Sequence, residues 1–248
     1  MTLKDFPGRA QLVAFEEGLQ QSKWALFIIT PEWKETLCLK YILANLSANE
    51  DYLMTDINNA DAHHWNTRYQ AEGKQWLRHK PKQLLVDYAG LLPTDAKVLD
   101  SAAGVGVNAL FLAQRGMQVY ALDVSWVGLN LAKMRFREQG LVLDSAVVDL
   151  SNPWLPSQYF DAVLNICFLE RATFPVYQQT LKPGGILIFE AFAGDGEDVS
   201  HPDYYLQPDE LVTAFSNFEI IHSERIRRKH RNKKSAVLVE QMVARKPT

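Results

Sequence analysis

The sequence predicts an α/β protein built on a doubly wound, mostly parallel sheet, and three observations carry that reading. From Val98 onward, short apolar runs alternate with helically spaced segments, the pattern of repeated strand and helix units around one sheet. A turn of small residues, Ala102-Ala103-Gly104-Val105-Gly106, separates an apolar strand from a helix. Further on, Lys182-Pro183-Gly184-Gly185 interrupts the chain at a point that neither helix nor strand is expected to cross.

In chain order, Lys97–Asp100 reads as a first strand, Val107–Arg115 as a helix and Gln118–Asp123 as a second strand. Leu129–Gln139 has helical spacing closed by Gly140. Ala146–Asp149 and Phe160–Asn165 read as the third and fourth strands, Phe174–Leu181 as a helix and Ile186–Ala191 as the fifth strand. The pattern then changes. Phe218–Ile226 and Ser235–Ala244 are β-rich, with a short basic loop and no helix between them, which predicts a terminal antiparallel hairpin.

Residues 1–60 form an N-terminal extension or small accessory segment, and 61–248 the main domain. In the extension, Lys23–Thr30 is strand-like and Thr36–Leu46 has helical spacing, while Ser47–Asp51 and Asp56–Asp61 read as polar linker. It is either a cap over the site or a segment that contributes little, with Met54 as the usual start.

The chain has 248 residues, 47% hydrophobic and 22% charged, a composition that excludes disordered and fibrous classes. A net charge of −3 gives no global basic excess for nucleic acid or an anionic membrane. Cys38 and Cys167 make no disulfide framework and no zinc spacing, so no metal is expected and both read as reduced, buried thiols of a cytoplasmic protein. The apolar run Trp24–Ile29 is too short to span a membrane, and Glu16 and Glu17 precede it where a signal peptide carries positive charge.

Three acids end three successive predicted strands: Asp100, Asp123 and Asp149. A small-residue turn lets a ligand approach the backbone at the carboxyl end of a strand. There, Asp123 is placed to bridge ribose hydroxyls and Asp149 to reach an adenine amine. With the acid and turn at Asp100–Gly106, Asp123 within Tyr120–Ser125, and Leu181–Gly185 before the fifth strand, the chain resembles the class I S-adenosylmethionine-dependent methyltransferases from about Asp61 to Pro247. Ala102 departs from the family, which usually has glycine there. The run Trp65-Asn66-Thr67-Arg68-Tyr69 with Gly73 and Trp76, then Phe168–Arg171 and Phe189–Phe192, is most similar to the tellurite-resistance and thiol methyltransferase branch.

The resemblance implies a Rossmann-like sheet of seven strands in the order 3-2-1-4-5-7-6 and S-adenosylmethionine as cofactor. It puts Asp100, Ala102, Gly104, Gly106 and Asn108 around the methionine end, Asp123 and Val124 at the ribose, Asp149 and Leu150 at the adenine. Asn165 is expected to face the methionyl group or the acceptor. Trp65, Tyr69 and Trp76 are read either as an aromatic lid that stabilises a sulfonium or as a helix stripe packed on the sheet. Arg68 and Arg171 are expected at the substrate or lid, although Arg68 reads equally well as a surface ion pair. His63, His64 and Tyr69 are the candidates if a general base is needed.

The expected reaction is methyl transfer to a small molecule, a thiol, a metalloid oxyanion or another small nucleophile. The basic run Arg225–Lys234 keeps an RNA acceptor as an alternative, although a solvated hairpin tip explains it as well. Gly104-Val105-Gly106-Val107-Asn108-Ala109 satisfies the dinucleotide fingerprint and keeps an NAD-dependent oxidoreductase open, as is a cofactor-binding regulator without turnover.

Overall fold

A computed structural model describes residues 11–16, 24–29, 60–194, 204–229 and 236–248. Its strands are β1 (Gln11–Glu16), β2 (Trp24–Ile29), β3 (Lys97–Ser101), β4 (Gln118–Asp123), β5 (Asp144–Val147), β6 (Phe160–Ile166), β7 (Leu181–Phe192), β8 (Glu219–Lys229) and β9 (Ala236–Arg245). The helices are α1 (Ala60–Trp76), α2 (Gln83–Tyr88), α3 (Val107–Ala113), α4 (Trp126–Glu138), α5 (Thr173–Thr180) and α6 (Glu210–Ala214). Among the described residues no helix is long and apolar enough to cross a membrane.

The central strands are apolar at nearly every position because helices cover both faces. Alternate residues serve opposite cores. Leu99, Val163, Leu187 and Phe189 pack with Tyr177 and Phe215, while Val98, Ala121, Leu164, Ile186 and Ile188 pack with Leu112 and Phe136. The strand order β5-β4-β3-β6-β7-β9-β8 is 3-2-1-4-5-7-6 counted from β3, as expected. β9 is antiparallel to both β7 and β8. The order reverses between β3 and β6, where the two halves of the sheet wind apart and a crevice opens at the strands' carboxyl ends.

Several boundaries differ from the sequence reading. The third strand of the seven is Asp144–Val147, so Asp149 lies beyond it, in a turn where its Oδ1 accepts from the Ser151 N–H at 2.9 Å. Lys182–Gly185 does not end a strand. Leu181 pairs with Phe160, the four residues bulge out, and pairing resumes at Ile186 with Ala162. β1 and β2 form an antiparallel pair, and β1 adds antiparallel to the edge strand β5. The helical spacing at Thr36–Leu46 lies outside the described residues.

Ala102 takes φ +56°, a left-handed conformation that glycine adopts freely and a residue with a Cβ does not. Ala102→Gly is expected to stabilise the fold by about 1 kcal/mol in urea denaturation, less the flexibility that glycine adds to the unfolded chain. Gly106→Ala is expected to do the reverse, because its φ is +68° and a Cβ there would lie 2.7 Å from Ala132 Cβ.

Candidate active site

Asp100 and Asp123 stand at the carboxyl ends of neighbouring parallel strands, on the face that also carries Val98, Val119 and Ala121. Asp100 is 1% exposed, and its Oδ2 has no hydrogen-bond partner. Burial pushes its carboxyl up to about 8, with the Asp123 charge adding to the shift and the Ala109 N–H opposing it. Asp123 is 6% exposed and accepts from the Gly104 N–H at 2.7 Å and the Ser125 N–H at 2.8 Å. Burial raises it to about 6 against those donors and the Val124 N–H. Backbone donors favour a carboxylate, and Asp123, which has more of them, stays the more acidic of the pair.

The turn between β3 and α3 is stitched to the end of β4. Besides the Gly104 bond, the Ala103 N–H donates to the Leu122 carbonyl at 2.8 Å. A Cβ on Gly104 would lie 2.6 Å from the Tyr69 hydroxyl, so the α1 tyrosine fills the space that this glycine leaves. Tyr69 is buried, stacks on Trp65 at 5.5 Å and meets Trp76 edge-on at 5.5 Å. Arg68 lies over Trp65 and Trp76, 5.3 and 5.0 Å from their centroids, and 3.5 Å from Glu72. The aromatics therefore pack α1 against α4 and the turn. Burial, then the Asp123 charge, drive the Tyr69 phenol well above its ordinary value and keep it neutral.

Ser125 caps α4 by accepting from the Gly128 N–H at 3.1 Å and donates to Asn66 Oδ1 at 2.7 Å. Asn66 also accepts from the Val127 N–H at 3.3 Å, fastening α1 over the start of α4. Asn66 lies within the aromatic run, and its sequence neighbours give it no role. No local pattern announces a contact across 59 residues.

Asn165 and Arg171 lie elsewhere. Asn165 sits on the opposite sheet face from Asp100, in step with Val163, because strand residues alternate sides. Its amide is fully buried, accepting from Tyr177 Oη at 3.0 Å and donating to the Phe168 carbonyl at 2.7 Å. Arg171 clamps Glu210 with contacts of 2.6 and 2.9 Å and donates to the Tyr205 carbonyl at 3.1 Å, joining the start of α5 to α6. Leu150 is buried in the core. His63 and His64 are exposed, with His64 edge-on to Trp65 at 5.4 Å. Asn108 accepts from the Lys82 backbone N–H at 3.0 Å. Cys167 is corrected from a buried to an exposed thiol, and its backbone is left-handed at φ +58°.

The sheet order puts the buried acids and the tight turn beside its switch point, where doubly wound folds bind ligands. Residues 98–185 match the methyltransferase-domain family. The chain is 34% identical over 106 residues to a ubiquinone/menaquinone biosynthesis C-methyltransferase of Bordetella parapertussis, covering 39% of this chain and 41% of that one. It is 29% identical over 106 residues to a ubiquinone biosynthesis O-methyltransferase of Histophilus somni, covering 39% and 44%. The match thus spans less than half the length of either relative. Among solved structures, TehB from Haemophilus influenzae superposes with a TM-score of 0.62 at 19% identity, covering 71% of this chain and 65% of that one. A Haemonchus contortus phosphoethanolamine N-methyltransferase in complex with S-adenosyl-L-methionine gives 0.58 at 16%, covering 82% and 61%.

Because both carboxyls are raised in the fold, the folded protein binds more protons than the unfolded chain at intermediate pH. That stability is complete below the ordinary carboxylate range and is lost as pH rises through about 6 for Asp123 and about 8 for Asp100. The urea midpoint of the ligand-free protein is expected to fall from about pH 5 to about pH 8.5, and to fall less in Asp100→Asn, whose amide does not ionise. An equal decline in the variant contradicts this assignment.

Proposed function

We propose that the chain transfers the methyl group of S-adenosylmethionine to a small acceptor at the carboxyl ends of β3, β6 and β7. The observation that carries this reading is the buried Asp100 oxygen without a hydrogen-bond partner. A group of this kind costs about 1–3 kcal/mol unless it is satisfied, and the ammonium of a bound methionyl moiety supplies both a donor and a positive charge. The neighbouring turn supports the same ligand: Ala102, Gly104 and Gly106 all take positive φ and bring backbone close to the crevice.

In this reading Asp123 keeps its two backbone bonds and uses its remaining acceptor capacity on ribose hydroxyls, with Val124 beside it. Asp149 and the backbone of Leu150 flank the adenine, and Asn108 borders the methionine end. Tyr69, neutral and held against Gly104, closes the site from α1 and sheds water, with Trp65, Arg68 and Trp76 as its support. When bound, the cofactor supplies a methyl carbon already activated by a sulfonium. The protein's task is therefore chiefly alignment of donor and nucleophile. The acceptor classes that fit are a thiol, a metalloid oxyanion or another small nucleophile. The quinone-biosynthesis relatives support a small acceptor.

Calorimetric titration with S-adenosylhomocysteine tests the reading. Micromolar binding is expected, weakened roughly 10- to 100-fold in Asp100→Asn and Asp123→Ala, as for loss of a hydrogen bond to a charged group. Tight binding of NADH with no response to S-adenosylhomocysteine overturns it.

A further inference from the structure

Across the switch point from Asp123, the carboxyl ends of β6 and β7 hold a charged cluster. Glu190 lies on the same sheet face as Asp100, in step with Ile186 and Ile188, and pairs with Ile166. Strand spacing puts its Cα roughly 12 Å from that of Asp100, two strands over and one side-chain repeat further along. Its side chain is 1% exposed. It is met by Lys82 Nζ at 3.0 Å, by Arg228 Nη1 at 3.0 Å and by the Gln241 amide. Lys82 Nζ also lies 3.0 Å from Cys167 Sγ.

Two cations thus share one carboxylate. Lys82 and Arg228 keep 34% and 31% of their side chains exposed, and the thiol beside them is exposed as well. The next acid outward on β8, Glu224, is exposed and faces His222 at 3.9 Å. Although the residue is exposed, its Sγ packs against Lys82 Nζ and Glu190 Oε1, and that loss of solvent pushes the thiol up despite the ammonium, so it adds no negative charge. The cluster then carries one positive charge in excess at the carboxyl ends of β6 and β7, where the methyltransfer reading puts the acceptor.

The structure assigns Lys82, Arg228 and Cys167 to an anion subsite: we propose that the acceptor carries a carboxylate, phosphate or comparable oxyanion that docks on the two cations. This deepens the methyltransfer reading and rests on it for the identity of the bound molecule as acceptor. Lys82 is well placed to sense both ligands, because its backbone N–H is held by Asn108 beside the cofactor turn while its ammonium reaches Glu190.

Cys167 serves as a reporter that needs neither donor nor methyl transfer. Its alkylation is followed by peptide mass spectrometry with negatively charged iodoacetate and neutral iodoacetamide. Both reagents attack the same thiolate, so its pKa and exposure cancel in the ratio of their rates, and the charge on the reagent remains. The ratio at Cys167 is expected to exceed that of free glutathione about fivefold, to shrink with added salt, and to collapse in Lys82→Gln. Millimolar benzoate or inorganic phosphate is expected to slow alkylation by iodoacetamide, with benzamide without effect. Protection by benzoate alone identifies carboxylates, and by phosphate alone phosphates, as the preferred class; both support the subsite. A wild-type ratio at or below the glutathione value, or equal protection by benzamide, overturns it. That failure is distinct from an absence of S-adenosylhomocysteine binding, which overturns the methyltransfer reading instead.

Discussion

The bond from the Gly104 N–H to Asp123, 2.7 Å long, holds together the parts on which the site depends. It ties the turn after β3 to the end of β4, which brings two carboxylates to adjacent strand ends and turns the glycine backbone toward the crevice. Like charges buried this closely oppose each other's ionisation. Only Asp123 is relieved by several backbone donors, and Asp100 is left partly unsatisfied. The ligand-free fold therefore relieves the conflict by keeping a proton on Asp100, and a bound cation takes that proton's place.

The packing around the turn maintains that arrangement. Tyr69 fills the notch at Gly104, and Gly128 lets the same ring approach α4, where a Cβ would stand 3.0 Å from the tyrosine. At Gly73 a Cβ would meet Leu131 Cδ1 at 2.8 Å, so α1 and α4 pack at close range along their length. Asn66 and Ser125 fix the register of that contact. The aromatic run thus supports the turn before it touches any ligand, and its helical spacing served packing as well as any lid.

The sheet could be read from the sequence because strands buried on both faces must be apolar almost throughout, and the turns between them need small residues. Asp100, Asp123 and the glycine turn were visible for the same reason, since an acid ending an apolar run is a local signal. Asn165 misled because the face a strand residue occupies depends on parity, and its offset from Asp100 comes from pairing register rather than from local composition. Arg171 misled because its partner Glu210 is 39 residues away. Lys82 and Glu190 are 108 residues apart, a pairing that only the folded sheet creates. Cys167 follows an apolar run, which predicts burial, but its own left-handed backbone just after β6 leaves the residue exposed, with its sulfur beside Lys82.

On this reading Asp100, mostly protonated without ligand, gives up its proton when a cationic methyl donor binds. Calorimetric titration with S-adenosylmethionine at about pH 7, in buffers of different ionisation enthalpy, measures this directly. The account predicts that the observed enthalpy varies linearly with the buffer enthalpy, at a slope corresponding to release of close to one proton, and that Asp100→Asn removes most of the slope. Binding with no buffer dependence in the wild-type protein would contradict it.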